Sequence, residues 1–293
     1  MLLRTEHLTK DYGRSRALDN LNLTVQRGEV FGLLGPNGSG KTTALRLFLG
    51  FLRPTAGRAW VEGHECWQDG LSVRRLVAYL PGELRLYERM SGRQLIHFLS
   101  QLRGQPPNTE LDELARRFDI DLDRPLVQLS SGMKRKVALL QVLVPHAPLV
   151  IMDEPTNTLD PTMRDELLHQ VRQARARGQT VLFSSHVLSE VEEVCDRVAI
   201  LQRGRLVHLQ VMSELRDGRL IHLRCKGSGE ALPPLAGLTV RSRQDDLYTL
   251  EYMGSLPPLL DWLAKQPIVD LRLESLGLKA IYSRYHGNEA GET

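Results

Sequence analysis

One run of eight residues, Gly35, Pro36, Asn37, Gly38, Ser39, Gly40, Lys41 and Thr42, constrains this chain more than any other feature. It spells G-x-x-x-x-G-K-T. Val30 to Leu34 before it reads as a short apolar strand, and Thr42 to Leu49 after it reads as a helix with Leu45, Leu47 and Leu49 among its apolar positions. Strand, glycine-rich loop and helix in that order describe a phosphate-binding P-loop. Glycines let backbone N–H groups converge on phosphate oxygens, and the helix N-terminus adds positive potential. Lys41 is placed to reach the β- and γ-phosphates. Thr42 offers a hydroxyl to Mg²⁺, and Thr43 joins it in the ATP-binding set. A glycine-rich turn without a ligand is the alternative for the string alone, and the flanking strand and helix weigh against it.

Further apolar runs, Leu149 to Met152, Thr180 to Phe183 and Val198 to Leu201, each follow a helical or turn-rich stretch, as parallel strands with crossover helices do. An α/β core follows, with antiparallel strands expected around Trp60 to Gly63 and Leu201 to Leu206. The first of these runs delivers Asp153 and Glu154 at its C-terminal end, where ligand sites of open α/β sheets form. Asp153 is expected to hold Mg²⁺, directly or through water, and Glu154 to polarise the attacking water as general base. Taken alone, two acids at a strand end read first as a cap for the next helix, and it is the P-loop beside them that favours the metal and base roles.

Between Glu83 and Val127 the period becomes helical, with Leu95, Phe98 and Leu99 and then Leu111, Leu114 and Phe118. A helical subdomain inserted in the core, at about 84–145, is the reading. After about Gly218 the composition shifts to alternating Leu220, His222 and Arg224, a loop at Pro233 and Pro234, and a strand at Leu247 to Tyr252. A helix at Leu259 to Lys265, a strand at Ile268 to Leu273 and a last helix to Tyr285 complete a small α+β appendage. The expected division is 1–216, 217–286 and a disordered tail at 287–293.

The 293 residues suffice for both parts, and 42% apolar with 25% charged residues is ordinary globular usage. A net charge of +3 with interleaved signs gives no broad basic face, so no nucleic acid is expected. Cys66, Cys195 and Cys225 form no CxxC pair and read as reduced packing residues of a cytoplasmic protein. Met1 to Lys10 lacks the apolar stretch of a secretory signal. The longest uncharged run, Val137 to Met152, is broken by Pro145, His146 and Pro148 and is shorter than the ~20 residues of a membrane helix. Any membrane role must therefore act through a partner.

Leu129, Ser130, Ser131, Gly132 and Met133, upstream of Asp153, resemble the signature motif of the ABC ATPase family, usually written LSGGQ. Asn157, Thr158, Leu159, Asp160 and Pro161 are similar to its D-loop, and Ser184, Ser185 and His186 to the segment carrying its switch histidine. The resemblance covers roughly residues 2 to 216. It implies a P-loop NTPase cassette with a RecA-like core, an antiparallel β subdomain and a helical subdomain, followed here by the small C-terminal α+β domain. It further implies two ATP molecules sandwiched in a dimer, Ser130, Ser131 and Gly132 of one copy acting on the nucleotide held by the other. His186 would sense the γ-phosphate, Tyr12 would stack on adenine, and Asp160 would serve the D-loop.

Four positions depart from the family pattern. Ser131 and Met133 replace a Gly and a Gln of the signature, and Thr158 replaces a D-loop Gly. In Tyr79, Leu80, Pro81, Gly82 and Glu83, Gly82 stands where the Q-loop glutamine is expected. Glu83 is then either a replacement ligand near Mg²⁺ or a solvent-exposed carboxylate.

One cassette per chain, with an appendage and no membrane span, resembles separately encoded ATPases of bacterial exporters. That implies an integral membrane permease as partner, docked against Leu86 to Leu99, and a peripheral place on the inner face of the cell membrane. A translation-type or DNA-repair-type soluble ATPase is the alternative. The former usually fuses two cassettes and the latter carries a long coiled coil, whose heptads are missing from this sequence.

Overall fold

The apolar runs ending at Leu34, Met152, Phe183 and Leu201 become neighbouring strands of one sheet, because each is long enough to cross a buried layer and too short for a helix. The computed structural model describes residues 1–104, 110–226 and 232–286, with two compact units, Met1–Leu209 and Gln210–Thr293.

In the first unit, β1 (Leu3–Tyr12) and β2 (Ser15–Val25) form an antiparallel pair running from Leu3 opposite Val25 to Tyr12 opposite Ser15. β3 (Val30–Leu34) is wholly buried and leads through the glycine loop into α1 (Lys41–Phe48). β4 (Ala56–Val61) and β5 (His64–Glu65) return to the first sheet, in the order β2-β1-β4-β5. Helix α2 (Gly70–Leu76) and strand β6 (Val77–Leu80) follow.

Among the described residues, the α-helices α3 (Gly92–Leu102), α4 (Leu111–Arg117) and α5 (Ser131–Leu143) lie in the region read as helical from its period. α3 starts at a capping box in which Ser91 and Gln94 satisfy each other's backbone N–H groups. β7 (Leu149–Asp153), α6 (Pro161–Ala176), β8 (Thr180–Ser185), α7 (Leu188–Val194), β9 (Arg197–Gln202) and β10 (Arg205–Val211) complete the six-stranded sheet, ordered β10-β9-β3-β8-β7-β6. Within it β9, β3, β8, β7 and β6 are parallel neighbours, so the C-terminal ends of β3, β7 and β8 share one rim. Phe31, Leu33, Ile151 and Leu182 pack beneath that rim with Leu45 and Phe48 of α1.

The second unit holds α8 (Met212–Asp217), β11 (Gly218–Cys225), β12 (Leu238–Gln244), β13 (Leu247–Met253), α9 (Leu256–Leu263), β14 (Ile268–Ser275) and α10 (Leu278–His286). Its strands make an antiparallel sheet ordered β12-β13-β11-β14. Ile221, Leu223, Tyr248 and Leu250 on one face pack with Leu259, Trp262 and Leu263 of α9. The Pro233–Pro234 segment is irregular, as its residues dictate, and its Pro233 carbonyl accepts from the Trp262 indole at 3.0 Å. The tail expected at 287–293 lies outside the described residues.

Among the elements not anticipated are β2, α2, β6, α8 and β12. β2 carries Asp19, Asn20 and Asn22 between its buried leucines, and register shifts along β1 break the two-residue alternation that would reveal it. β6 has only four residues, and six of the seven residues of β12 are exposed.

Candidate nucleotide site

The glycine loop takes its shape from contacts that no side chain would allow. A Cβ on Gly35 would lie 2.4 Å from the Leu201 carbonyl oxygen, and one on Gly40 would lie 2.6 Å from that of Ala17, where φ is also +105°. Gly40 therefore caps α1 in the left-handed region and turns the chain so that Lys41 and Thr42 open the helix. The loop runs against β2 at Ala17 and against the Arg203–Gly204 turn, which fixes its backbone from both sides.

Lys41 is buried. Its ammonium donates to the carbonyls of Gly35 (2.7 Å) and Pro36 (3.2 Å) and lies 3.2 Å from Glu154 Oε1. That carboxylate oxygen is itself buried with no hydrogen bond of good geometry, so the contact with Lys41 is ionic rather than directional. The other oxygen, Oε2, is 2.7 Å from Nδ1 of His186, just beyond the end of β8. Glu154 thus sits between a cation and an imidazole, one residue past the end of β7, on a left-handed backbone with φ 48°.

Asp153 ends β7 and is buried. The Thr42 hydroxyl donates to its Oδ2 at 2.8 Å and the Ser184 hydroxyl to its Oδ1 at 2.6 Å. Ser184 also accepts from the backbone N–H of Glu154 at 2.9 Å. α1, β7 and β8 therefore meet in one hydrogen-bonded group. Tyr79 on β6 stands beside it, its phenol pushed up to about 12 by burial first and by the Asp153 charge second.

Arg135 joins this group from α5. It is buried, and its five N–H donors find five backbone carbonyls: Pro155 (3.3 Å), Pro81 (2.9 Å), Gly82 (3.1 Å), Asp153 (3.0 Å) and Glu154. Burial lowers its pKa below the usual guanidinium value, while the charges of Asp153 and Glu154 oppose that shift. One side chain thereby ties the helix that begins at the signature segment to both acids and to the 81–82 turn. Sequence reasoning missed Arg135 and named Ser184 only as part of the switch segment, with no role of its own. Ser184 adjoins the Ser185–His186 pair and was within reach of a strand-end argument, whereas nothing in the string around Arg135 points to carbonyls so far along the chain.

Gly82 is the position where a glutamine was expected. A Cβ built there would lie 3.4 Å from Asp153 Oδ2, so a side chain at 82 would start directly against the acid, and glycine leaves that space open. Glu83 next to it is exposed and takes no part in the hydrogen bonds of the Asp153–Glu154 group.

Ser130 is exposed and caps α5, its hydroxyl accepting from the Met133 N–H at 3.2 Å. Ser131 is exposed, and Gly132 faces the Thr158 carbonyl, from which a Cβ would be 3.3 Å away. No hydrogen bond connects these three residues to Lys41, Asp153 or Glu154 of the same chain. Asp160 caps α6 through the Met163 N–H at 2.9 Å. Thr158, two residues earlier, has φ 69° where the family pattern places glycine. Tyr12 ends β1, is 48% exposed, and has the Lys10 ammonium 5.2 Å from its ring centroid.

The donor set suits a magnesium nucleotide. Thr42 and Asp153 offer hard oxygen donors. Among the described residues no group of three or more His, Cys, Asp or Glu side chains could hold a metal ion, so a Mg²⁺ here would draw its remaining ligands from phosphate and water. The buried Ser39 hydroxyl, which has no partner, lies on the loop that would wrap the phosphates.

Comparison with known proteins agrees with this chemistry. The family model described as "ABC transporter" matches residues 18–157. The chain is 37% identical over 244 residues to the daunorubicin resistance ATP-binding protein DrrA3 of Streptomyces coeruleorubidus, covering 79% of this chain and 77% of that one. A solved structure described as the ATP-binding subunit of an ABC transporter superposes with a TM-score of 0.68 at 29% identity, over 74% of this chain and 92% of that one. A dimeric cassette, MJ0796, solved in a post-hydrolysis state with ADP and Pi, superposes at 0.65 with 19% identity over 72% and 99%, a likeness of fold. Phosphate loop, acid pair, signature segment and relatives converge on one assignment: the chain belongs to the ABC transporter family, as one of its ATP-binding proteins.

Proposed function

We propose that this chain hydrolyses ATP and, through closure of a dimer of two copies, energises a separate membrane permease that exports hydrophobic compounds. The observation that carries the hydrolytic part is Glu154, whose carboxylate is held between Lys41 at 3.2 Å and His186 at 2.7 Å, one residue beyond an aspartate already bonded to the P-loop threonine. Mg²⁺ bound by Thr42 and Asp153 would supply charge neutralisation on the phosphates. The P-loop N–H groups and Lys41 hold the triphosphate. Glu154 accepts a proton from the water that attacks the γ-phosphorus, and ADP leaves. With Nδ1 of His186 turned to Glu154, its Nε2 is left to face the γ-phosphate.

The span 1–216 is the cassette in this reading. Tyr12 offers an exposed ring for adenine. Ser130, Ser131 and Gly132, unconnected to the phosphate group of their own chain, serve the nucleotide of the other copy, and Asp160 orders the turn beside them. Glu83 is the further metal ligand in this reading, and an unchanged Mg²⁺ dependence in Glu83→Ala would remove it. The exporter role rests on the relative named for daunorubicin resistance. No helix among the described residues is long and apolar enough to cross a membrane, and the permease is assigned to a separate partner in this reading. The partner would sit near Leu86 to Leu99, where Tyr87 is exposed and stacks edge-on with Phe98 at 6.1 Å.

Glu154→Gln tests the proposal. The variant is expected to bind ATP, to turn over about 10²–10⁴-fold more slowly, and to accumulate as an ATP-bound dimer on size-exclusion chromatography. Wild-type turnover in this variant would take Glu154 out of the mechanism.

A further inference from the structure

β14 stands at one end of the sheet order β12-β13-β11-β14, so among the described residues its outer edge presents main-chain donors and acceptors to no strand. Val269, Leu271 and Leu273 recur at every second position along it and are 52%, 37% and 37% exposed. Leu271 pairs with Leu223 and Leu273 with Ile221, so these two residues carry the apolar face of the unit out to its rim, while the ladder shifts register between Asp270 and Ile268 and leaves Val269 with no opposite residue on β11. Asp270, Arg272 and Glu274 take the opposite, polar face. An edge with both an apolar row and an ordered row of charges constrains what pairs with it.

We propose that β14 is an interface for a second copy of this chain, the two β14 strands running antiparallel about a two-fold axis at Leu271. Directly opposite residues in an antiparallel pair share a face, so a two-fold axis matches residues whose numbers add to twice the central one. Centred on Leu271, Asp270 of each copy faces Arg272 of the other, and Leu271 faces Leu271. Both charge pairs are complementary and the central contact is apolar. Centred on Arg272, the register would place Asp270 against Glu274 and arginine against arginine, like charges that destabilise a ladder. Centred on Asp270, it would set that aspartate against itself. The charges that discourage indiscriminate strand addition at this edge therefore select one register with a copy of the same strand. Arg272 lies 2.5 Å from Glu274 of its own strand, an exposed pair that holds it only weakly.

This interface deepens the homodimer of the proposed function, yet needs neither nucleotide nor Glu154, so it is tested on the full chain without ATP. Analytical ultracentrifugation is expected to show a dimer of the wild type. Asp270→Arg and Arg272→Asp are each expected to weaken it about tenfold or more by placing like charges opposite one another. The double variant Asp270→Arg/Arg272→Asp restores complementarity and should recover wild-type association, a result that misfolding would not produce. Leu271→Cys is expected to cross-link under mild oxidation, because opposite Cα atoms at about 4.5–5.5 Å lie within disulfide reach. The native cysteines are all buried. A monomeric nucleotide-free wild type, single variants that associate like the wild type, a double variant that stays as weak as either single one, or Leu271→Cys cross-linking no faster than Ser242→Cys on β12 would each overturn the interface.

Discussion

The two units of this chain use a β-sheet in opposite ways. In the first, the buried strands β3, β7 and β8 end at one rim, and the polar groups there bond to one another across elements far apart in sequence. In the second, one face of the sheet is covered by α9 while β12 and β14 remain exposed. A buried polar network concentrates the effect of each substitution, since every lost partner leaves a group without water to replace it. An exposed sheet spreads its free energy over many small cross-strand pairs, so single changes there act weakly on the fold.

The sharpest break of that contrast would be a tolerant P-loop. Lys41→Ala is expected to lower ATP affinity by about 10²-fold or more, because charge-assisted bonds to phosphate are lost and Glu154 is left buried without its cation. Fluorescent-nucleotide titration measures this, and affinity near the wild type would show that the loop backbone suffices.

Arg135→Lys comes next. Lysine keeps the charge but has three donors for five carbonyls, so turnover is expected to fall about tenfold with ATP affinity within about threefold, and stability by about 2–3 kcal/mol in urea. A drop in stability with kcat untouched would make Arg135 a packing residue only.

Deleting residues 219–293 removes most of the second unit and is expected to leave ATP affinity within about twofold, since each phosphate-site residue lies in the first unit and the ligand stabilises that unit alone. A larger loss with the cassette still folded, read by circular dichroism, would show that the units share the nucleotide site.

The smallest effect concerns Gly82→Gln. The Cβ position is in ordinary contact distance of Asp153, so the fold should keep its Tm within about 2–4 °C while the Mg²⁺ concentration for half-maximal turnover shifts downward. An unchanged Mg²⁺ dependence would mean that the glutamine has no task in this cassette.

What the sequence disclosed and what it hid divide along the same physical line. The P-loop, Asp153 and Glu154 are legible because each function needs residues adjacent in sequence on a strand, loop and helix whose periodicity is visible. The signature and switch segments were legible only through resemblance, for Ser130 as a bare string is a helix cap, and capping is what its hydroxyl does within this chain. Arg135 was hidden because its partners are backbone carbonyls, which carry no side-chain identity to read. The opening at Gly82 was visible as a missing residue, but its nearness to Asp153 depends on the parallel pairing of β6 with β7. β12 was hidden for another reason: its exposed residues, Arg241 and Arg243 among them, lack the alternation that a half-buried strand would display.

Thr158 bears on heat resistance. A β-branched residue at φ 69° stands in a region that glycine enters freely, at a cost of about 1–2 kcal/mol. Part of that cost would be recovered by Thr158→Gly, less the extra chain entropy that glycine carries into the unfolded state. Thr158 forms none of the hydrogen bonds of the phosphate group, so the chain keeps in this turn a modest reserve of thermostability that an engineer could release without redesigning the catalytic centre.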